Sequence, residues 1–374
     1  MKIIFISYSE FSDKVYKEYF IDKFLDNNIV VEFWNITQIV RDKHVDNGFL
    51  NFKGLKVFDS YSKFKNELKK SISNDVRIFT NFPLKFKYYK FYRLLKLYNF
   101  RTYQINNFAR PINIEKKSFI KKVTFHLFNP TFIFGILSHI IFIKFIKYFN
   151  LVNKFEIIFT SGYVESRSYD WVKKTININS IDFERSKENI TKLLDYKYCV
   201  FFDVYLPYHN DIKLNNIKYL NANKYYKDLN QFFSKIENNL KMQVVICSHP
   251  TAFNNEKHFN GRPVFRMKTM ELTKYAEFCL SHHSTSMSYA MIFKKPIFFI
   301  YNDEMETLYK NYYMRDLISL SNYTKMPLVK VNSEFFNFDK ISISTKTYDK
   351  YIHDYVASKE SQTNQSHNLI IKNL

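Results

Sequence analysis

The amino-acid sequence predicts an α/β protein made of two doubly wound domains, and three observations support this prediction. Short apolar runs that end in turn residues are repeatedly followed by helical patterns, which is typical of a parallel sheet covered by helices. This alternation starts twice, at Met1 and again near Cys199, with a charged stretch at 182–197 between the two starts. The length of 374 residues is sufficient for two domains. We therefore expect a first domain at 1–180, a linker at 181–197 and a second domain at 198–374.

The individual elements follow from these runs. In the first half, strands are predicted at 3–7, 30–36, 76–83 and 156–162, with a helix at 11–27. In the second half, strands are predicted within 199–207, 243–250, 279–283 and 296–301, and helices at 223–239, 269–278 and 284–293. The last residues, 361–374, are expected to be frayed.

Composition excludes several classes of protein. Only five glycines occur and none are clustered, so neither a GxGxxG dinucleotide fingerprint nor a phosphate-binding P-loop is present. The three cysteines, Cys199, Cys247 and Cys279, are far apart in apolar stretches and are expected to be small core residues of a protein from a reducing compartment. The apolar run at the N-terminus is too short for a signal peptide.

The net charge of +21 has three interpretations. A positive crevice would attract an anionic nucleotide-sugar and an anionic acceptor. A basic, aromatic-rich face would rest on an anionic membrane surface. Nucleic-acid binding is the alternative from another class, but the basic residues are spread along the chain and no known nucleic-acid-binding signature appears, so we expect no nucleic-acid partner.

One apolar segment, 123–143, contains no charged residue and is flanked by lysines. Its length permits a membrane-spanning helix, but Asn129 and Pro130 interrupt it early. A helix that lies on a membrane surface and a plain core helix are the other two possibilities.

Four hydroxyl residues follow the strand that ends at His282 and His283. Ser284, Thr285, Ser286 and Ser288 are predicted to open a helix, where backbone N–H groups and hydroxyls can bind a phosphate. An ordinary N-cap explains one such hydroxyl but not four.

Two further strand ends carry polar residues. A buried strand ends in His249 and Pro250, and a histidine at the carboxyl end of a parallel strand points into the crevice where ligands bind. Asp203, His209 and Asp211 surround a proline turn after the first strand of the second domain.

A strand ending in His-Pro, then an HSTS segment, then a Lys-Pro strand resembles the second domain of GT-B glycosyltransferases over residues 199–300. The most similar types are bacterial sialyltransferases and capsular Kdo transferases, which implies two Rossmann-like domains facing a cleft. The resemblance implies that His249, Pro250, Ser284, Thr285 and Ser286 surround the phosphate of a CMP-activated sugar. The same interpretation adds His209 and His283 to the nucleotide-sugar site. The acidic motif that many sialyltransferases carry in the first domain is not found.

An inverting transferase of this kind needs a general base for the acceptor hydroxyl and fixed donors for the leaving phosphate. The candidates for the base are Glu10, Asp13, Glu165, Asp170 and Asp203. No metal site and no cofactor are expected, since no carboxylate or His/Cys cluster has ligand spacing.

These inferences predict a metal-independent glycosyltransferase of capsule, lipopolysaccharide or O-antigen synthesis. The first domain would bind a glycan or glycolipid acceptor and the second domain the nucleotide-sugar donor. The third partner would be the anionic inner face of the cytoplasmic membrane. A CDP-polyol phosphotransferase of the teichoic-acid type is the alternative within the transferases.

Overall fold

The computed structural model describes residues 1–41, 52–108, 130–164, 171–209, 212, 217–252, 256–310, 313–333, 338 and 342–374. Within these residues the chain forms two compact units. The first contains 1–107, 130–180 and 358–374, and the second contains Phe108 and 181–357. The segment 181–197, expected to be a linker, is therefore part of the second unit.

The first unit contains a parallel sheet of seven strands. They are β1 (Lys2–Ser7), β2 (Val30–Asn35), β3 (Leu55–Val57), β4 (Val76–Thr80), β5 (Thr102–Asn106), β6 (Phe155–Ser161) and β7 (Val172–Ile178). Their spatial order is β3-β2-β1-β4-β5-β6-β7, so the order reverses beside β1. The central β1 is buried almost throughout, because helices cover both faces of such a sheet.

The helices of the first unit are α1 (Asp13–Glu18), α2 (Ile21–Asp26), α3 (Thr37–Arg41), α4 (Tyr61–Lys70), α5 (Tyr89–Leu97) and α6 (Pro130–Tyr148), followed by one at the C-terminus described below. The single helix expected at 11–27 is thus two helices. Phe20 has a left-handed backbone with φ of 56° and interrupts it.

The C-terminal segment was wrongly expected to be frayed. It contains a helix, Ser366–Lys372, which we call α14 because the helices of the second unit precede it in the chain. Ser366 and Ile370 are fully buried, and the Ser366 hydroxyl accepts a hydrogen bond from the Asn179 N–H at 3.0 Å. This segment therefore belongs to the first unit and not to the second domain that was expected to extend to residue 374.

The second unit contains a parallel sheet of six strands. They are β8 (Tyr198–Phe202), β9 (Gln243–Ser248), β10 (Val264–Arg266), β11 (Cys279–Ser281), β12 (Ile297–Tyr301) and β13 (Leu328–Lys330). The order is β10-β9-β8-β11-β12-β13, so β8 lies between β9 and β11. Two parallel sheets with helices between the strands confirm the predicted α/β class.

The helices of the second unit are α7 (Ile181–Ser186), α8 (Ala222–Leu240), α9 (Thr269–Tyr275), α10 (Met287–Ile292), α11 (Asp303–Leu308), α12 (Tyr313–Thr324) and α13 (Thr345–Tyr351), with a π-helical turn at Ile352–Val356. The core between them includes all three cysteines, which are free and buried as predicted.

The apolar segment 123–143 begins outside the described residues, and its remainder lies in α6. This helix begins at Pro130, a position where proline is tolerated because its missing N–H has no helical partner. One side packs through Ile146, which is 1% exposed, while Phe134 and Ile141 on another side are exposed. In the part of the chain that the structure describes, no helix is both long and apolar enough to cross a membrane.

Candidate functional site at the carboxyl edge of the second sheet

Asp203 occupies the centre of the carboxyl edge of the second sheet. Phe202, the last residue of β8, pairs with Cys247 of β9 and with Ser281 of β11, so Asp203 lies level with Ser248 and His282. Asp203 is 4% exposed, and its Oδ1 accepts a hydrogen bond from the Tyr205 N–H at 2.8 Å. The sheet order reverses at this strand, which is where ligands bind in open α/β sheets.

His209 and His249 lie together on one side of Asp203. Their ring centroids are 5.5 Å apart in an edge-to-face arrangement. The Thr251 N–H donates to His249 Nδ1 at 3.3 Å, and the Thr251 hydroxyl lies 2.8 Å from the same nitrogen. Because Nδ1 accepts, the neutral His249 ring carries its proton on Nε2, from which it can donate to a ligand. The adjoining Pro250 is exposed.

The three hydroxyls predicted to bind phosphate lie beyond β11, on the other side of Asp203. Two interstrand spacings of about 4.8 Å separate β9 from β11. Thr285 is exposed, and Ser284 and Ser286 are partly exposed. Ser286 is the N-cap of α10 and Ser284 and Thr285 precede it, so the helix begins three residues later than expected. The Ser286 N–H donates to Ser284 Oγ at 3.2 Å.

The start of α10 has fewer backbone N–H groups available for an anion than the sequence predicted. α10 has only six residues, and the N–H groups of Met287 and Ser288 are already used by the carbonyls of Ser284 and Thr285. The Ser288 hydroxyl is fully buried and donates to Asp182. Anion binding here would therefore depend on the side-chain hydroxyls of residues 284–286.

The two histidines that follow β11 differ in accessibility. His282 is 1% exposed: its Nδ1 lies 2.6 Å from the Ile300 carbonyl and its Nε2 lies 2.8 Å from the Tyr225 hydroxyl. Burial lowers the pKa of His282 to about 4, so the ring is neutral, donates to Ile300 and accepts from Tyr225. His283 is partly exposed, and burial also lowers its pKa, opposed by Asp316. Of the two, His283 is the one that a ligand can reach.

A second polar group at this edge was not predicted. Asn302, which follows β12, is 3% exposed and donates through Nδ2 to Asp228 Oδ2 at 3.2 Å. Asn332 donates to the same oxygen at 3.4 Å. The available signal was an asparagine directly after a buried strand, which the sequence analysis did not consider.

The carboxyl edge of the first sheet carries hydroxyl and amide groups. The Ser7 hydroxyl, at the end of β1, accepts from the Ser9 N–H at 3.0 Å and from Asn81 Nδ2 at 3.4 Å. Asn35, at the end of β2, is fully buried and accepts from the Thr37 N–H at 2.8 Å. Sequence reasoning missed these residues because it searched the edge for acidic groups.

The predicted general bases are only partly located. Glu10 and Asp13 are exposed after β1, and Asp13 lies in the first turn of α1, where a negative charge also stabilises the helix. Asp203 lies at the edge of the other sheet. Glu165 and Asp170 lie outside the described residues, as does Asp211 of the turn after β8. Among the residues that are described, no group of three or more His, Cys, Asp or Glu side chains is arranged to hold a metal ion.

Comparison with known proteins supports the fold and leaves the family open. No family model and no curated protein sequence matches the chain. Among solved structures, a wall teichoic acid polymerase TagF variant with CDPG matches with a TM-score of 0.51 and 13% identity, over 100% of this chain and 88% of that one. The glycosyltransferase of kitacinnamycin matches with a TM-score of 0.50 and 10% identity, over 100% and 98%. Together with the two parallel sheets, these similarities show the GT-B fold that the motifs predicted.

Proposed function

We propose that this protein is a glycosyltransferase that binds a nucleotide-sugar at the carboxyl edge of the second sheet. The observation that carries the proposal is the arrangement of His249 on one side of Asp203 and the hydroxyls of 284–286 on the other. All of them follow strand ends of a GT-B unit at the point where the strand order reverses.

The chemistry asked of these residues is the stabilisation of a leaving phosphate. As the acceptor oxygen bonds to the sugar, the bond from the sugar to the phosphate oxygen breaks, and negative charge develops on that phosphate. His249 Nε2–H and the hydroxyls of Ser284, Thr285 and Ser286 are donors that follow strand ends. Hydrogen bonds from Thr251 to His249 and from Ser286 to Ser284 hold part of this group in place, which reduces the reorganisation needed during the step. His209 and His283 extend the same site.

The donor proposed first is a CMP-activated nonulosonic or ulosonic acid, on the basis of the His-Pro and HSTS motifs. The similarity to the TagF structure favours the alternative, a CDP-polyol phosphotransferase. In the first reaction the acceptor attacks the sugar carbon, and in the second it attacks the outer phosphorus of the donor. Both release CMP, so both make the same prediction about nucleotide preference.

Thermal unfolding with nucleotides tests the proposal directly. A ligand that binds only the folded state at 100 times its Kd stabilises it by about 2.7 kcal/mol. We expect CMP and CDP to raise the melting temperature by several degrees, and more than UDP or GDP do. The Ser284→Ala/Ser286→Ala variant should lose most of the CMP shift, whereas Ser344→Ala, a helix cap remote in sequence from the edge, should keep it.

Two results would count against this assignment. A larger shift with UDP would indicate a hexosyltransferase, and the absence of a shift with every nucleotide would remove the transferase proposal. If CMP binds, the release of CMP from a CMP-sugar or from CDP-glycerol decides between the two donors.

The acceptor proton still requires a base. Of the five candidates, Asp203 lies within the proposed nucleotide site, while Glu10 and Asp13 follow β1 of the first unit. Asn or Gln variants of each would identify the base as the one whose loss lowers the transfer rate and keeps the CMP shift.

A membrane-surface location is proposed for α6. Phe134, Leu137, Ile141, Phe145 and Tyr148 recur every three or four residues and are all exposed, Phe134 at 73% and Tyr148 at 84%. Lys144 is exposed beside this stripe, and Lys147 lies 5.4 Å from the Trp171 ring. An apolar stripe with adjacent cations fits the inner face of the cytoplasmic membrane, where anionic lipids and lipid-linked acceptors are found.

Co-sedimentation with liposomes tests this location. We expect binding to anionic vesicles that salt weakens, and at least tenfold weaker binding of a Phe134→Ser/Ile141→Ser/Phe145→Ser variant. The matched control is Val30→Ser/Val57→Ser/Ile72→Ser, which removes exposed apolar side chains from another part of the same unit. Equal loss in both variants, or no binding of the wild type, would contradict the proposal.

A further inference from the structure

A polar groove runs along α8 in the second unit, and the reaction proposed above leaves it without a role. It encloses about 760 Å³ between α8 and the turn at 256–260. The helix contributes Asn223, Lys227, Gln231, Ser234, Lys235 and Asn238. Apart from the adjacent Ser234 and Lys235, these residues are spaced three or four apart, so they form one face about 22 Å long at ~1.5 Å per residue. We call this feature the α8 groove.

The chemistry of the α8 groove combines positive charge with carboxamides. Lys227, Lys235 and Lys257 line it, and no carboxylate is among the described lining residues. Asn223 and Gln231 are exposed, and each carboxamide provides both donors and an acceptor, as does a sugar hydroxyl. The lysines provide charge for phosphate or carboxylate groups. A chain of alternating hydroxyl and anionic groups therefore fits both the carboxamides and the lysines of the groove.

The walls of the groove are held in place by a buried arginine. Arg262 is 9% exposed and donates to Asn230 Oδ1 at 2.8 Å, to Ser234 Oγ at 2.9 Å and to Glu237 Oε2 at 2.6 Å. Asn230 in turn donates to the His258 carbonyl at 2.8 Å. The turn is therefore tied to α8 without a ligand, which reduces the ordering cost of binding.

An aromatic run connects the groove to the proposed reaction site. The rings of Tyr226 and His258 are stacked, with centroids 4.2 Å apart and planes at 7°. Tyr208 lies 6.3 Å from His258, and Tyr205 lies 4.9 Å from Tyr208. Tyr205 and Tyr208 belong to the turn that follows Asp203, so a chain lying in the groove can reach the carboxyl edge of the sheet.

From these observations we propose that the α8 groove binds the anionic glycan or polyol-phosphate chain that the enzyme extends. It holds a stretch of the chain behind the reacting end through the three lysines and the exposed carboxamides. The inference rests on the proposed function for its biological meaning, while binding itself depends only on the groove.

The test is the binding of fluorescent anionic chains, measured by anisotropy on the full-length protein. The probes are an oligomer of polysialic acid and an oligomer of poly(glycerol phosphate), with neutral dextran and single-stranded DNA of similar length for comparison. The variant is Lys227→Gln/Lys235→Gln/Lys257→Gln. The matched control is Lys197→Gln/Lys325→Gln/Lys346→Gln, three exposed lysines outside the groove with no ion pair among the described residues.

We expect at least one anionic chain to bind the wild type and the control equally, and the groove variant about 10- to 100-fold more weakly. Equal binding by groove variant and control, equal binding of dextran, or tighter lysine-dependent binding of DNA would overturn the inference. The CMP-induced melting shift should be the same in all three proteins. If that shift is absent but the lysine dependence is present, the transferase proposal fails and the groove stands as a polyanion-binding site.

Discussion

The carboxyl edges of the two sheets share a topology and differ in their side chains. In both, the strand order reverses beside the first strand of the unit, β1 or β8. The second edge carries His249, His283 and the hydroxyls of 284–286. The first edge carries Ser7, Asn35 and Asn81, together with Tyr8 stacked on Tyr88 at 5.5 Å and Arg41 at 4.8 Å from the Tyr8 ring.

The shared topology predicts that ligands bind at the same place in both units, and the different side chains predict that the two ligands differ. Imidazole N–H and hydroxyl donors around Asp203 suit a phosphate. The amides, the hydroxyl, the aromatic pair and the Arg41 cation of the first edge suit a hydroxyl-rich ligand that can also carry negative charge. The first edge also contains two buried polar atoms, Asn35 Nδ2 and Thr37 Oγ1, that have no partner in the described part of the chain.

The largest expected effect is a loss of kcat on substitution at the second edge, which substitution at the first edge should not produce. His249→Ala, or Ser284→Ala with Ser286→Ala, should lower kcat for transfer by about 10- to 1,000-fold, since donors to the leaving phosphate are lost. Asn81→Ala at the first edge should mainly raise the acceptor KM. Steady-state kinetics measure both effects, and the melting temperature is the control for folding.

Equal changes of kcat on substitution at the two edges would contradict the different roles proposed for them. Wild-type kcat in the His249 and Ser284/Ser286 variants would mean that these side chains only shape turns. A kcat loss in Asn81→Ala as large as that in His249→Ala would move the chemistry toward the first edge.

A smaller effect, on stability, follows from His282. Its pKa is about 4 in the folded protein against 6.5 for the ordinary side chain, so between these values the unfolded chain binds a proton that the folded chain does not. Above pH 6.5 the ring is neutral in both the folded and the unfolded chain, so it does not change the free energy of unfolding. As the pH decreases from 6.5 toward 4, the free energy of unfolding falls by up to about 3 kcal/mol. His283 contributes in the same direction.

Urea unfolding of wild type and His282→Gln at pH 7.5 and pH 4.5, followed by far-UV circular dichroism, measures this loss. Glutamine can donate to Ile300 and accept from Tyr225 without titrating, so the variant should lose less stability on acidification. An equal loss in both proteins would assign the acid sensitivity to other groups. Fluorescence of Trp34 and Trp171, both in the first unit, provides the comparison with a unit whose described carboxyl edge has no histidine.

The sequence predicted most of the central strands and missed β5 and the strands at the sheet edges, β3, β7, β10 and β13. Strands such as β1, β8 and β12 are continuous apolar runs because both of their faces are buried. β3, β10 and β13 have three residues each and are partly exposed, so no periodicity marks them. The packing of α14 against the first unit joins parts of the chain that are far apart in sequence, so local sequence patterns could not predict it.

The positions of candidate site residues were predictable where a polar residue directly follows a buried strand, while their roles stay predictions. Asp203 and His249 were found this way, and the structure brings His209 to His249. The helix predicted at 284–293 is present, but it begins at Met287, three residues later than expected. His282 was correctly placed at a strand end, but its hydrogen bonds to Tyr225 and Ile300 depend on tertiary contacts 57 and 18 residues away.

The smallest expected effect concerns the unpartnered hydroxyl at the first edge. Thr37 is 1% exposed, and its Oγ1 has no partner in the described part of the chain, so Thr37→Val should raise the free energy of unfolding by up to about 1 kcal/mol. Thr80→Val is the matched control, because Thr80 Oγ1 lies 3.3 Å from the Tyr92 hydroxyl and its loss should cost about 1 kcal/mol. Urea unfolding followed by Trp34 fluorescence reports on both. Equal destabilisation would show that the Thr37 hydroxyl is satisfied in solution, whereas a more stable Thr37→Val with a raised acceptor KM would show that the first edge keeps this hydroxyl for its ligand.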